Sequence, residues 1–444
     1  MRKFITFVLA IAIMITGFTP LSVSADHGAS AAGLRAVLTA QLGEHVILAG
    51  AATNAALNGS DAEFNAAAGA LDENSIALAD TIGLVYGDGA EEAFLALWRK
   101  HIGFFVDYTV GAATDDEAMK QMAITSLDGY RNDFAAFISG ANPNLPKDVI
   151  AESLIPHIEL LSQAIDAQKA GDFSTAYMKL REAYAHTAML GLALSTGIDA
   201  QFPEQYEGDA DASYASLRTL LSSQLGEHVL LAGAATNAAL QGRSAEFDAA
   251  AAALDANSVD LSQSIASVYG EDAGNAFLPL WRAHIGFFVD YTLGAAAMDQ
   301  NAKDAARAEL DGYRNDFAAF ISGANPFLPK DAVAENLVPH IETLTSVIDA
   351  QSTQDFTMAF TSLRESYEHT GMLGKILADA IAQQYPEQFM MVSMPEAMPN
   401  TGHASTGTHL PSLSLIIGGI TVLALAALTV ITRYRLRPAV QNNG

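Results

Sequence analysis

The chain repeats itself once, and this duplication constrains its fold more than any other feature of the sequence. The segment LWRKHIGFFVDYT at residues 97–109 returns as LWRAHIGFFVDYT at residues 280–292. His101 thus corresponds to His284, an offset of 183 residues (284 − 101) that aligns 34–206 with 217–389 without an insertion. Such self-similarity predicts two homologous domains joined by the short acidic linker 207–216.

The residue types of both repeats favour helices over strands. Hydrophobic residues make up 50% of the 444-residue chain, and many are alanine, which has the highest helix propensity. No stretch shows the alternation of apolar and polar residues that is typical of a half-buried strand. We therefore predict an all-α fold of two tandem homologous six-helix bundles, together with a signal peptide and a C-terminal transmembrane or sorting helix.

Turn and capping residues divide the first repeat into its predicted helices. Thr114 with Glu117 predicts a capping box at the start of the fourth helix. Pro156, directly before His157, predicts a kink that frees a backbone carbonyl beside this histidine. The second repeat is expected to follow the plan of the first, whose six predicted helices lie at 34–57, 61–85, 89–112, 115–139, 146–169 and 173–200.

Net charge and cysteine content exclude several classes of function. The formal net charge is −27, which indicates against a nucleic-acid partner because phosphate binding needs a basic surface. An acidic surface instead enriches cations in its vicinity. The chain contains no cysteine, so disulfides and thiolate ligands are excluded. Any bound metal must be held by nitrogen, oxygen or thioether sulfur.

The first 25 residues have the organisation of a secretory signal peptide. Arg2 and Lys3 form the basic start, an apolar stretch covers residues 4–18, and residues 23–25 offer a small-residue cleavage site. The apolar stretch is shorter than the ~20 residues of a membrane-spanning helix. Export followed by cleavage is therefore predicted for residues 1–25.

The C-terminal segment contains a second targeting signal. Residues 390–412 are rich in Met, Pro, Ser, Thr and Gly and are expected to form a flexible stalk. A predicted transmembrane helix at 413–432 and an arginine-containing tail at 433–444 follow, and the positive-inside rule places this tail in the cytoplasm. The stalk contains a motif formed by Met398, Pro399, Asn400, Thr401 and Gly402.

This arrangement resembles the cell-wall sorting signal of Gram-positive surface proteins, in which Leu-Pro-any-Thr-Gly precedes a hydrophobic helix and a basic tail. The resemblance implies that sortase cleaves between Thr401 and Gly402 and joins Thr401 to peptidoglycan. Met398 departs from the pattern, because leucine stands there in the family. A membrane span that is retained is the alternative. Both interpretations place the repeats outside the cytoplasm of a Gram-positive bacterium, anchored to its cell wall or cell membrane.

Eight of the eleven histidines occupy paired positions in the two repeats, and they are the candidate functional residues. The four in one repeat belong to four different predicted helices. Each lies about 11–14 residues after its helix start, or roughly 16–21 Å along the helix axis. Side chains at similar heights on neighbouring helices can converge on one ion. The predicted metal ligands are His45, His101, His157, His186, His228, His284, His340 and His369.

Carboxylate and thioether groups accompany the fourth histidine of each repeat. Glu182 precedes His186 by four residues, so its carboxylate is a candidate for orienting the ring or for binding the metal. Met189 follows His186 by three residues, and a thioether nearby favours copper among the metals that imidazole binds. The possible auxiliary residues are Glu182, Met189, Glu365 and Met372.

The duplicated region also carries a family resemblance. Its motif Leu-Trp-Arg-x-His-Ile-Gly-Phe-Phe-Val-Asp-Tyr-Thr, at 97–109 and 280–292, is similar to secreted helical bacterial domains named after the N-terminal region of copper amine oxidases. This resemblance also points to copper. It implies no oxidase activity, because the residues of a topaquinone-type catalytic domain are not recognisable in the sequence.

The sequence therefore favours binding over catalysis. It contains no nucleophile elbow, phosphate-binding glycine loop, HExxH zinc helix or calcium loop. Each repeat is expected to hold a transition metal, either copper or alternatively zinc or iron, or a metallocofactor. A haem held by two histidines would need a slot between the aromatic residues. A surface spacer or adhesion module with structural core histidines is the alternative, and the sequence identifies no protein partner.

Overall fold

The computed structural model describes residues 30–391, and these residues form an all-α structure, as predicted. An isolated bridge between Ser30 and Glu207 is the sole strand-type pairing within this range. No helix in the same range is both long and apolar enough to cross a membrane. The predicted signal peptide, sorting motif, transmembrane segment, basic tail and most of the stalk lie outside the described residues.

Each repeat folds into six long helices and one helix of seven residues within the described range. In the first repeat these are α1 (Ala31–Leu57), α2 (Asp61–Tyr86), α3 (Asp88–Ala113), α4 (Glu117–Ala141), α5 (Lys147–Ser153), α6 (Ile155–Ala170) and α7 (Phe173–Gln201). In the second they are α8 (Ser213–Leu240), α9 (Ser244–Tyr269), α10 (Glu271–Ala296), α11 (Gln300–Ala324), α12 (Lys330–Asn336), α13 (Val338–Ser352) and α14 (Phe356–Gln384). The two sets correspond helix by helix.

The predicted fifth helix, 146–169, is two helices, so each repeat has seven helices rather than six. α5 ends at Ser153 and α6 begins at Ile155, with Pro156 in the first turn of α6. Proline lacks an N–H group and its ring clashes with the preceding turn, so it disfavours continuation of α5. The kink expected beside His157 is therefore a complete break in the helix.

The start of the fourth helix also differs from the prediction. α4 begins at Glu117 and is capped by Asp116, whose side chain accepts a hydrogen bond from the N–H of Met119 at 3.0 Å. Thr114 instead ends α3, where its hydroxyl donates to the carbonyl of Val110 at 2.8 Å. The predicted capping box is wrong because aspartate caps a helix more strongly than threonine.

The first helix of each repeat lies at the centre of the molecule. α1 packs against α2, α3, α6 and α7 of its own repeat and against α8 of the other repeat. A helix surrounded in this way is buried on every face, and residues 45–48 are buried in succession. The outer helix α4 instead buries a stripe that includes Leu127, Tyr130 and Phe134. Side chains of α1 therefore lie at the centre of the first bundle, and those of α8 lie at the centre of the second.

Both repeats belong to one compact unit in the described part of the chain. α1 packs on α8, α2 packs on α14, and α7 packs on α9. A single apolar cluster contains Val46 of the first repeat together with Val229 of the second. The predicted linker 207–216 is held in place, since Arg35 donates to the carbonyl of Ala210 at 3.0 Å. The two repeats therefore share a core.

Ion pairs across the interface are duplicated like the helices. Arg181 of the first repeat donates to both carboxylate oxygens of Glu227 in the second, at 2.9 and 3.0 Å. Arg364 of the second repeat donates to Glu44 of the first at 3.0 Å. Both glutamates are buried, so each repeat supplies the cation for a buried carboxylate of the other.

Candidate metal centre

Three helices of the first repeat each place one histidine at a common point. α1 contributes His45, α3 contributes His101 and α6 contributes His157. One ring nitrogen from each histidine lies within 4.8 Å of the other two, and we call this group the first triad. The second triad consists of the corresponding residues on α8, α10 and α13, which are His228, His284 and His340.

In both triads two imidazoles face each other at the spacing of metal ligands. Nε2 of His45 lies 3.3 Å from Nε2 of His101, and His228 and His284 repeat this distance. Two nitrogens bound to one tetrahedral ion at about 2.0–2.1 Å are separated from each other by about 3.3–3.4 Å. The observed spacing therefore fits two ligands of one ion, and it also fits a long N–H···N hydrogen bond between the two rings.

The third histidine of each triad lies slightly farther from the first. The ring centroid of His157 is 6.1 Å from that of His45, whereas His101 is 5.2 Å away. In the second triad the ring centroid of His340 is 6.3 Å from that of His228. One nitrogen of this third ring nevertheless lies within 4.8 Å of a nitrogen of each of the other two rings.

Burial keeps the triad imidazoles neutral at physiological pH. Desolvation, with smaller contributions from neighbouring rings, lowers the pKa of His45 well below its usual value and that of His101 to about 3. Desolvation likewise lowers the pKa of His157 to about 4 and the pKa values of His284 and His340 to about 3. Neutral imidazole is the form that binds a metal, so metal binding near pH 7 displaces no proton from these rings.

Aromatic side chains surround the first triad. The ring centroid of Trp98 lies 4.9 Å from His45 and 4.5 Å from His101, and Tyr130 stacks on His101 at 4.9 Å. Within residues 30–391, the buried atoms without a hydrogen-bond partner include Nε1 of Trp98, the hydroxyl of Tyr130 and Nδ1 of His45. Buried polar atoms are normally hydrogen-bonded, so such unpaired atoms beside a histidine cluster are unusual.

The second triad has the same surroundings, and a cavity adjoins it. Trp281 lies 4.8 Å from His228 and Tyr313 lies 5.0 Å from His284, measured between ring centroids. The indole Nε1 and the tyrosine hydroxyl again have no partner in the described part of the chain. A cavity of about 70 Å³ is lined by the triad and by both aromatic residues. Space for a ligand therefore remains beside the buried triad.

The fourth predicted histidine of each repeat lies outside the triad. Nε2 of His186 lies 2.8 Å from the carbonyl oxygen of Ser153, the last residue of α5, and His369 makes the same contact with Asn336. A carbonyl oxygen accepts only, so Nε2 carries the proton and is not available to a metal. The predicted four-histidine site is corrected to three histidines, because the break before Pro156 frees a carbonyl that binds the fourth ring.

The predicted auxiliary residues do not join the triads either. Glu182 is half-exposed and forms an ion pair with Lys179 at 2.8 Å. Met189 is 61% exposed and Met372 is 39% exposed, while Glu365 is also exposed. Spacings of three and four residues from the histidine place these side chains on the outer face of the helix, because His186 itself lies at the edge of the site. The methionine argument for copper is therefore lost.

Sequence reasoning missed the tyrosine that stacks on each triad. Tyr130 lies in the segment LDGYRNDF at residues 127–134, and Tyr313 lies in the identical segment at 310–317. The spacing of Leu127, Tyr130 and Phe134 indicates a buried helical stripe. That pattern predicts burial, but it does not reveal that Tyr130 faces His101 on another helix.

The triads have to be interpreted from their own geometry. Comparison of the chain with protein-family models, with curated proteins and with solved structures finds no match.

Proposed function

We propose that each repeat binds one transition-metal ion through its three triad histidines, with copper as the favoured metal. The observation that carries this proposal is the pair of buried imidazoles whose Nε2 atoms lie 3.3 Å apart in both repeats. The corresponding ligands are His45, His101 and His157 in the first repeat and His228, His284 and His340 in the second. We accordingly propose a binding protein rather than an enzyme.

Neutral, desolvated nitrogen ligands support this assignment. Burial holds the pKa of His101 and His284 at about 3, so both rings are neutral at the pH of most environments and each has one unprotonated nitrogen. A purely structural role would be expected to satisfy the ring nitrogens, yet Nδ1 of His157 and Nδ1 of His340 have no partner among the described residues. Metal ions bind the unprotonated nitrogen of a neutral imidazole without a large cost in proton release.

The ligand type selects the class of metal. Imidazole nitrogens suit copper, zinc, nickel and iron, whereas calcium and magnesium need oxygen ligands. Among divalent first-row metals a nitrogen site has its highest affinity for copper, so copper is favoured and zinc or iron is the alternative. A haem is disfavoured, because its two axial ligands lie on opposite faces of a porphyrin, whereas the rings of His45 and His101 contact each other directly.

The targeting signals locate this activity at the cell surface. Residues 1–25 direct export, and the motif at 398–402 with the apolar segment at 413–432 attaches the protein to peptidoglycan or to the membrane. The net charge of −27 would concentrate cations around the exposed repeats. We infer that the protein captures metal ions outside the cytoplasm, at the cell envelope.

Metal analysis of the purified chain without a histidine tag tests the proposal. We expect two metal ions per chain in the wild type, one in His101→Ala, one in His284→Ala and none in the double variant. His186→Ala is the matched control and should retain two, because His186 binds a backbone carbonyl. If the wild type binds no metal after incubation with copper and zinc, the triads are structural, and the spacer or adhesion module replaces this proposal.

A further inference from the structure

The cavity beside the second triad is not needed to hold a metal ion. It has a volume of about 70 Å³ and is lined by the three triad histidines, Trp281, Tyr313 and Val333, together with Asn336, Thr370 and further apolar side chains. One water molecule needs about 10–15 Å³ of such space. The cavity is therefore large enough for a ligand of a few non-hydrogen atoms.

Two hydrogen-bond donors line this cavity without a partner. Trp281 is 7% exposed and Tyr313 is 8% exposed, so both side chains are more than nine-tenths buried. The indole N–H and the phenolic O–H are unpaired within the described residues. Leaving such a donor buried and unsatisfied is unfavourable. An occupant with hydrogen-bond acceptors would satisfy both donors.

Charge balance determines the chemistry of the occupant. Three neutral imidazoles leave a bound divalent cation with its full charge of two. No acidic side chain is found among the described residues that line the cavity. A buried charge without a counter-charge is strongly unfavourable. A small anion would supply both the missing negative charge and the acceptors for the two donors.

We propose that the metal ion of the second triad binds a small anion of two to four non-hydrogen atoms in this cavity. The anion occupies the coordination position that three histidines leave open, as in three-histidine metal sites that bind water or substrate as the fourth ligand. Trp281 and Tyr313 donate hydrogen bonds to it. This inference rests on the proposed metal site and names the ligand that the site takes.

One residue that lines the cavity in the second repeat differs from its counterpart in the first repeat. Val333 lines the cavity, and the corresponding residue of the first repeat is Ile150, which is larger by one methylene group. Val333→Ile therefore introduces the residue of the first repeat and fills part of the space. The variant changes the volume of the site without changing its ligands or its donors.

Titration with azide tests this inference on the full chain loaded with Cu²⁺. Azide is an anion of three nitrogen atoms, and its binding is followed through the azide-to-copper charge-transfer absorbance. We expect one azide to bind per chain with saturation. Trp281→Phe and Tyr313→Phe should each raise the Kd for azide about tenfold, because each removes one hydrogen bond to a charged ligand. Val333→Ile should also raise the Kd by crowding the anion.

Matched substitutions in the first repeat serve as controls. Trp98→Phe and Tyr130→Phe remove the same groups beside the first triad and should leave the Kd for azide unchanged. Equal effects in both repeats would overturn the assignment to the second cavity, as would azide binding that is unaffected by Trp281→Phe and Tyr313→Phe.

Copper content, measured on every sample, separates this inference from the proposed function. A chain that binds two copper ions but no azide overturns only the anion site. A chain that binds no copper overturns the proposed function and the anion site together.

Discussion

The triads and the interface between the repeats are both assembled from duplicated residues, yet their electrostatics differ. The triads consist of neutral imidazoles, whereas the interface buries carboxylates, and Glu63 and Glu246 are each 3% exposed. Arg243 donates to both oxygens of Glu63 at 2.9 and 3.0 Å and lies 2.8 Å from Glu246. The residue of the first repeat that corresponds to Arg243 is Ser60. The guanidinium of Arg243 therefore pairs with both buried carboxylates.

The triads are alike in the two repeats, whereas the ion pairs of the interface are not. The Nε2–Nε2 distance is 3.3 Å in both triads, while the interface pairs its two carboxylates unequally. Desolvation raises the pKa of Glu246 despite the nearby Arg243, and it lowers the pKa of His101. Acid should therefore act on the two regions in opposite directions, because protonation relieves the buried carboxylate and is resisted by the buried imidazoles.

The largest expected effect is the loss of stability of the metal-free protein in acid. An unfolded histidine titrates near pH 6.5, whereas His101 and His284 have pKa values of about 3 in the folded chain. Between these values the unfolded chain binds more protons, so the free energy of unfolding falls as the pH falls. Each ring contributes about 1.4 kcal/mol per pH unit, so the two together remove about 5 kcal/mol between pH 6.5 and 4.5.

Urea unfolding of the metal-free chain at a series of pH values measures this loss. The double variant His101→Gln and His284→Gln removes two of the titrating rings, and its stability should depend less steeply on pH. Parallel curves for the variant and the wild type between pH 6.5 and 4.5 would contradict the assigned pKa values.

Removal of the shared cation should come next in size. Arg243→Ala leaves Glu63 and Glu246 buried together without a counter-charge, and we expect a loss of about 3–5 kcal/mol in the free energy of unfolding. Arg99→Ala is the matched control, because Arg99 and Asp72 form an ion pair with side chains 45% and 47% exposed. That variant should lose less than about 1 kcal/mol. Equal losses in the two variants would show that the interface charges do not stabilise the fold.

The smallest effect is expected from a hydroxyl at the interface. Tyr184 donates to the carbonyl of Ser223 at 2.9 Å, and its hydroxyl lies 3.2 Å from that of Tyr367. Tyr184→Phe should lower the free energy of unfolding by about 1 kcal/mol, the usual contribution of one hydrogen bond. Metal content should stay at two ions per chain. A loss of metal in this variant would show that the interface and the triads are not separable.

The helices and their buried faces were predictable because they follow from local periodicity. The stripe of Leu127, Tyr130 and Phe134 and the similar heights of His45 and His101 both come from helical spacing. The position of His186 was not predictable, although it lies at a similar height. Its orientation depends on the carbonyl that the break before Pro156 releases, and no pattern within α7 reveals that contact.

One pattern in the sequence bears on the contact between the two repeats. The first predicted helix, 34–57, is apolar on nearly every face, and such a helix is buried on all sides. This pattern favoured a second partner for α1 beyond its own bundle. The identity of that partner was not predictable, because Arg364 and Glu44 are separated by 320 residues and no local spacing relates them.

One turn of α1 has a thermodynamic consequence for the whole molecule. Glu44 binds Arg364 of the second repeat, and the next residue, His45, belongs to the first triad. Adjacent helical residues point in different directions, so the same turn holds the other repeat on one side and a ring nitrogen on the other. Suppose that a ligand prefers one position of this turn. Its binding then changes the affinity of the two repeats for each other, and association of the repeats changes the affinity for the ligand by the same factor. The tandem chain thus keeps its two halves at a fixed effective concentration.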